Sequence, residues 1–132
     1  MKILVADDDR VISQLICAVV REAGHTPIPA FDAVQAMMAA NRSPAPDCII
    51  LDIHMPGAAG IDTLRKIKQS AKTAGIPVIV LSGTTDESIS KAALQLGAVT
   101  FLGKPLVPEA LQVALRKVFG QEKPIAPGIG DR

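Results

Sequence analysis

The residues of this chain that could do chemistry stand at the ends of short apolar runs. ILVA (3–6) stops at Asp7, Asp8 and Asp9, and CIIL (48–51) stops at Asp52. VIVL (78–81) stops at Ser82, and VTFL (99–102) is followed by Gly103 and Lys104. Each piece has an ordinary reading by itself. An acidic pair after a strand is often a solvated turn, a serine there a helix-entry cap, and a lysine before proline a surface lysine. Together they are carboxylates, a hydroxyl and an ammonium at corresponding places along the chain. Carboxylates that share a cleft repel one another, and their pKa values climb unless a cation is present. The only cation next to the three aspartates in sequence is Arg10, one charge against three. A hard divalent ion relieves the repulsion; Mg²⁺ takes one or two carboxylates, several waters and phosphoryl oxygens. A carboxylate is also a nucleophile toward phosphorus, giving an aspartyl phosphate. Phosphoryl transfer then needs positioning and cancellation of charge on the equatorial oxygens. Mg²⁺, Lys104, the Ser82 hydroxyl and backbone N–H groups after the strands are of the right kind for this.

Whether these residues meet depends on the elements between them. Residues 11–23 place Ile12, Leu15, Ile16, Val19 and Val20 at helical spacing, with Gly24 as a stop. TPIPA (26–30) reads as an edge strand, because proline cannot donate to a ladder. Residues 32–41 read as a short Ala/Met helix. After the loop HMPGAAG, a helix is expected from Ile61 to Ala74, with Ile61, Leu64 and Ile67 inward. TTDE (84–87) has the form of a capping box, Thr84 with Glu87, opening a helix that runs to about Leu96. Pro108 fits the first turn of a last helix that ends near Gly120. Residues 1–120 therefore form one domain, and 121–132 a Pro/Gly-rich tail or linker stub.

The order is strand–helix five times, and the strong strands are continuous apolar runs. That is the pattern of a parallel sheet covered on both faces. Right-handed crossovers bring the carboxyl ends of all strands to one edge. Ligands of open α/β sheets bind at that edge. The six candidates are thus expected to converge, with Met55 packing and Pro56, Gly57 and Gly60 as turn residues.

Composition narrows the partners. The chain has 132 residues, enough for one core. A net charge of +1 offers no basic field for nucleic acid, and three Phe with no Trp or Tyr leave little for base stacking. No direct nucleic-acid contact and no membrane contact are expected. MKILVA runs into DDD too soon for a signal peptide, and a cytoplasmic location is the default. Cys17 and Cys48 sit among apolar residues and read as small buried hydrophobes.

ILVADD, DIHMPGAAG, VIVLSG and FLGKPL, with their spacing, resemble the response-regulator receiver domain of two-component signalling over roughly residues 1–120. The resemblance implies an α/β, flavodoxin-like, doubly wound five-stranded parallel sheet in order 2-1-3-4-5 with five helices. By position, it implies Asp52 as phosphoacceptor and Asp8 as a direct Mg²⁺ ligand, with Asp7 helping directly or through water. Asp52 and the backbone carbonyl of His54 complete the protein ligands, and Mn²⁺ is an alternative ion. Ser82 and Lys104 would hold phosphoryl oxygens, and Phe101 stands where receivers carry a switch aromatic. The donor would be a phosphohistidine on a histidine kinase or histidine phosphotransfer protein. The receiver would catalyse transfer to itself, and hydrolysis would reset it, which makes it a switch and not a turnover enzyme. Output would pass to a protein target through the face of helix 4, strand 5 and helix 5. There are departures. Phe101 replaces the frequent tyrosine and lacks a switch hydroxyl, Asp9 is extra and reads as a helix cap, and His54 adds a titratable side chain.

The main rival is a haloacid-dehalogenase-like phosphatase, because DDDRVI fits the first motif of that family with Asp7 as nucleophile and Asp9 as general acid. After Lys104 the acids are only Glu109, Glu122 and Asp131, no cap domain is present, and DIHMPGAAG stays unexplained. A receiver-like adaptor that works without phosphorylation is a second rival. A nucleotide or flavin binder is disfavoured, since no Gly-rich loop follows the first strand.

Overall fold

The computed structural model describes residues 1–57, 61–83 and 86–120. Ten elements alternate along the chain: β1 (Lys2–Ala6), α1 (Arg10–Glu22), β2 (Thr26–Ala30), α2 (Ala33–Ala40), β3 (Cys48–Asp52), α3 (Asp62–Gln69), β4 (Val78–Ser82), α4 (Glu87–Gln95), β5 (Thr100–Gly103) and α5 (Pro108–Phe119). The strands form one parallel sheet in the order β2-β1-β3-β4-β5, as expected from the sequence.

The continuous apolar runs are explained by two cores, one on each face. Leu4, Ala6, Ile49, Leu51, Val78 and Val80 point to one side and pack with residues of α2, α3 and α4 such as Ala36, Leu64 and Ala93. Ile3, Val5, Cys48, Ile50, Ile79 and Leu81 point to the other and pack with Ile16 and Val20 of α1 and Leu111 and Leu115 of α5. Alternate residues of β1, β3 and β4 enter opposite cores, so the interior positions of these strands are apolar and polar side chains come only at their ends. Both cysteines are free and buried.

The edge strand shows why its prolines are tolerated. The Thr26 N–H donates to the Met1 carbonyl at 2.9 Å, so the nitrogens of Thr26 and Ile28 face β1. By the two-residue period, the nitrogens of Pro27 and Pro29 face outward, where a missing N–H breaks no ladder bond.

Several boundaries differ from the sequence expectation. Leu15 is exposed; the stripe that α1 buries is Ser13, Ile16, Cys17, Val19 and Val20, and Leu15 lies beside it. The third helix ends at Gln69, short of Ala74. The following turn holds its own shape: Thr73 Oγ1 donates to the Ile67 carbonyl at 2.6 Å, and Lys68 Nζ donates to the carbonyls of Ala74 and Ile76 at 3.1 and 2.8 Å. The fourth helix starts at Glu87, and its cap is Asp86, whose carboxylate accepts from the Ser88 N–H at 2.9 Å. Thr84 of the expected capping box lies outside the described residues, as do Gly60 and 121–132. Asp9 caps α1 as expected, accepting from the Val11 and Ile12 N–H groups at 2.9 and 3.1 Å. Pro108 opens α5, and Gly120 ends it in the left-handed conformation (φ 67°), where glycine carries no Cβ penalty. Among the described residues, no helix is long and apolar enough to cross a membrane.

Candidate functional site

The carboxyl edge of the sheet gathers the sequence candidates. Asp7 follows β1 directly, and its N–H donates to the Ala30 carbonyl of β2 at 3.0 Å, which fixes it between two strands. Its side chain is fully buried. Oδ1 accepts from the Asp9 N–H at 2.9 Å. Asp52 is the last residue of β3, 3% exposed, and its Oδ1 accepts from the His54 N–H at 2.9 Å. Asp8 is exposed beside them, and carboxylate oxygens of Asp7, Asp8 and Asp52 lie within 4.8 Å of one another.

Lys104 closes this group. Its N–H donates to the Ser82 carbonyl at 2.9 Å, which anchors the residue after β5 to the end of β4. From there Nζ lies 3.2 Å from Asp52 Oδ2, a hydrogen bond, and 2.9 Å from Asp7 Oδ2. The second contact is an ion pair, and Lys104 is the partner of the buried Asp7 Oδ2. Asp7 and Asp52 therefore take their counter-charge from the far end of the chain, while Arg10, next to the aspartates in sequence, lies over Phe31. Burial pushes the Asp7 carboxyl above its ordinary value, and Asp52 adds to this; Lys104 and the Asp9 N–H offset only part. Burial alone would lower the Lys104 ammonium, but Asp7 and Asp52 outweigh it and hold the ammonium above its ordinary value.

The other candidates are close by. Ser82 is fully buried at the end of β4. Phe101 of β5 pairs in register with Val80 and packs, half-buried, against the core under α2, α3 and α4. His54 is exposed, while Met55 is buried in that same core, as the sequence suggested. Asp9 uses its carboxylate for the α1 cap, which leaves it poorly suited to the acid role of the phosphatase reading.

The donor set suits a hard cation. The cluster offers only carboxylate oxygens, two of its three residues are buried, and a single ammonium offsets them. That favours Mg²⁺ or Mn²⁺ over a soft or imidazole-seeking metal.

Two features escaped sequence reasoning. Arg10 lies over the Phe31 ring, 3.8 Å from its centroid, a pairing of residues from α1 and the end of β2 that no motif announces. The Ala33 N–H, first in α2, donates to the Pro56 carbonyl in the loop after β3 at 3.1 Å.

A parallel 2-1-3-4-5 sheet with an acidic cluster and a lysine at its carboxyl edge defines a signalling receiver, and the chain matches the response regulator receiver domain over residues 3–116. It belongs to that family, the receiver domains of two-component systems. Among curated proteins it is similar to the phosphate regulon transcriptional regulatory protein PhoB of Escherichia coli, 32% identical over 95% of this chain and 54% of that protein. It is also similar to the transcriptional regulatory protein FixJ of Bradyrhizobium diazoefficiens, 31% identical over 94% of this chain and 59% of that protein. The chain thus spans little more than half the length of these relatives. Among solved structures, a response regulator of Chloroflexus aurantiacus superposes with a TM-score of 0.82 at 26% identity, covering 91% of this chain and 98% of that one. The chemotaxis response regulator CheY4 of Vibrio cholerae superposes with a TM-score of 0.79 at 27% identity, covering 89% of this chain and 97% of that one.

Proposed function

We propose that this chain is a phosphorylation-controlled switch whose phosphoacceptor is Asp52. The observation that carries the reading is the position of Lys104 Nζ, within 3.2 Å of Asp52 and 2.9 Å of Asp7, beside the exposed Asp8. A histidine kinase or phosphotransfer protein presents a phosphohistidine at the open side of the pocket. The Asp52 carboxylate attacks phosphorus, the P–N bond breaks, and the imidazole leaves with its electron pair. Asp7, Asp8, Asp52 and the His54 carbonyl hold Mg²⁺, which supplies charge neutralisation at the transferring group. Lys104 follows the negative charge from the Asp52 carboxylate to a phosphoryl oxygen. The Ser82 hydroxyl donates to another, and the half-buried Phe101 repacks as the segment after β4 moves.

The receiver occupies residues 1–120, with 121–132 as tail or linker, and works in the cytoplasm without membrane contact. Output leaves through the α4, β5 and α5 face to a protein target. PhoB and FixJ are named as transcriptional regulators, so the expected absence of nucleic-acid contact is limited to this segment.

The test is intact-protein mass after incubation with acetyl phosphate and Mg²⁺, for wild type, Asp52→Asn and Asp7→Asn. One base-labile phosphoryl adduct that needs Mg²⁺ and is lost in Asp52→Asn is expected. An adduct that survives Asp52→Asn and vanishes in Asp7→Asn would move the nucleophile to the first strand and restore the phosphatase reading. No adduct with this donor or with a phosphohistidine protein would favour the adaptor.

A further inference from the structure

The loop that follows Asp52 is tethered at two points, on either side of a short stretch of backbone. On the near side, the His54 N–H donates to Asp52 Oδ1 at 2.9 Å. On the far side, Met55 is buried in the core, and the next carbonyl, that of Pro56, accepts from the Ala33 N–H at 3.1 Å. Ala33 is the first residue of α2, and its N–H is one of the helix-end donors that no intrahelical acceptor can serve. Gly57 follows at φ +93°, and a Cβ placed there would lie 3.5 Å from the Ala33 Cβ. The first turn of α2 therefore abuts the loop. Two carbonyls lie between these tethers, those of His54 and Met55, and the His54 carbonyl is the one next to the Asp52-bound N–H.

We infer that the Ala33 N–H is a positioning group for the metal site: by holding the Pro56 carbonyl it sets the direction of the His54 carbonyl, and so ties the placement of α2 to Mg²⁺ affinity. This rests on the metal reading proposed above. The coupling is reciprocal, because a group that helps the ion bind is itself held more firmly when the ion is bound. Movement of α2 would thus be felt at the pocket, although no α2 side chain enters it.

The fold offers a selective test. Proline is favoured at the first helical position, so Ala33→Pro keeps α2. Asp32 before it is extended, at φ −154° and ψ 173°, which is the conformation a following proline demands. The substitution removes the N–H and sets the proline Cδ against the Pro56 carbonyl oxygen, now 3.1 Å from the nitrogen, so the loop is released from α2 while every pocket side chain is kept. Ala33→Ser keeps the N–H and is the control. Mg²⁺ is titrated against each protein and followed by amide chemical shifts. Wild type and Ala33→Ser should bind alike, and Ala33→Pro should bind at least threefold more weakly, the part of the tether's worth that differs between the free and Mg²⁺-bound states. Equal affinity in all three proteins would overturn the inference while leaving the metal site standing. A wild type whose amides do not respond to Mg²⁺ would remove the metal reading and this inference with it. If Ala33→Pro does not fold, exchange of the Ala33 amide in wild type decides: Mg²⁺ should slow it at least threefold, and an unchanged rate would overturn the inference.

Discussion

Lys104 Nζ stands 2.9 Å from Asp7 Oδ2, so a residue that follows the last strand neutralises a fully buried carboxylate at the end of the first. The same ammonium reaches Asp52 at 3.2 Å. Removing it should leave two nearly buried carboxylates facing each other. Lys104→Met is therefore expected to lower stability at pH 7 without Mg²⁺ by about 1–3 kcal/mol, less than for a sealed pair because the pocket is open on one side. The ammonium's folded pKa is raised, so its contribution is fully present below the unfolded value of 10.5 and is lost as pH rises through the higher folded value. Chemical denaturation at pH 7 and in strong alkali should show the gap narrowing. Mg²⁺ should restore much of the loss, since it takes over the neutralising charge. A variant as stable as wild type at pH 7 would show that the pair contributes nothing net.

Asp7 has the opposite sign. Its folded pKa is raised above the ordinary 3.8, so the folded state holds the proton more tightly than the unfolded chain. Ionised Asp7 then costs stability. The cost is absent below 3.8 and sets in as pH rises through the folded value. Asp7→Asn should raise the melting temperature at pH 7 in the absence of Mg²⁺, with the advantage fading on acidification toward pH 3.5. It should also abolish the stabilisation that Mg²⁺ gives wild type. Thermal scans across this range, with and without Mg²⁺, read both effects. A variant less stable than wild type at pH 7 would mean that the lost pairing with Lys104 outweighs the relieved burial.

The difference between these two residues marks how far the sequence could be read. The parallel sheet and the convergence of Asp7, Asp52, Ser82 and Lys104 were legible in the continuous apolar runs, and the edge place of TPIPA in its prolines, while the strand order is what the resemblance to receivers implies. The pairing of Lys104 with two carboxylates was not, since it needs the tilt of β5 and the Lys104 N–H to Ser82 carbonyl bond. The end of α3 differs because side chains take over there: Thr73 Oγ1 serves the Ile67 carbonyl, which a longer helix would have bonded itself, and Lys68 Nζ fixes the turn beyond through the carbonyls of Ala74 and Ile76. In TTDE both Thr84 and Asp86 are competent caps, and pattern alone could not choose between them. The Ala33–Pro56 bond joins two backbone groups and carries no side-chain signature at all.

The outward nitrogens of Pro27 and Pro29 make a prediction about solubility. They leave the open edge of β2 with no N–H to offer a second strand at those positions. Replacing both with threonine restores two donors on an edge that is otherwise uncharged. The double variant should self-associate at concentrations where wild type does not, as read by sedimentation velocity. Equal monodispersity would assign the protection of this edge to α1 and its neighbours instead.

Asp9 separates the receiver from the phosphatase by a change that is small in structural terms. Its carboxylate accepts from two N–H groups at the start of α1, and its own N–H, which a substitution keeps, donates to Asp7. Asp9→Ala should remove the cap and lower stability by about 1 kcal/mol, a shift of roughly 3–5 °C in a domain of this size. Serine at this position, another good cap, should recover most of it. Neither change touches Asp52, Lys104 or the Mg²⁺ carboxylates, so phosphoryl uptake from acetyl phosphate should proceed at the wild-type rate in both. In a phosphatase with Asp9 as general acid, both variants would lose turnover by orders of magnitude while serine still rescued the melting temperature. Stability and phosphoryl uptake moving apart would tie Asp9 to the helix; a joint loss that serine cannot repair would tie it to the chemistry.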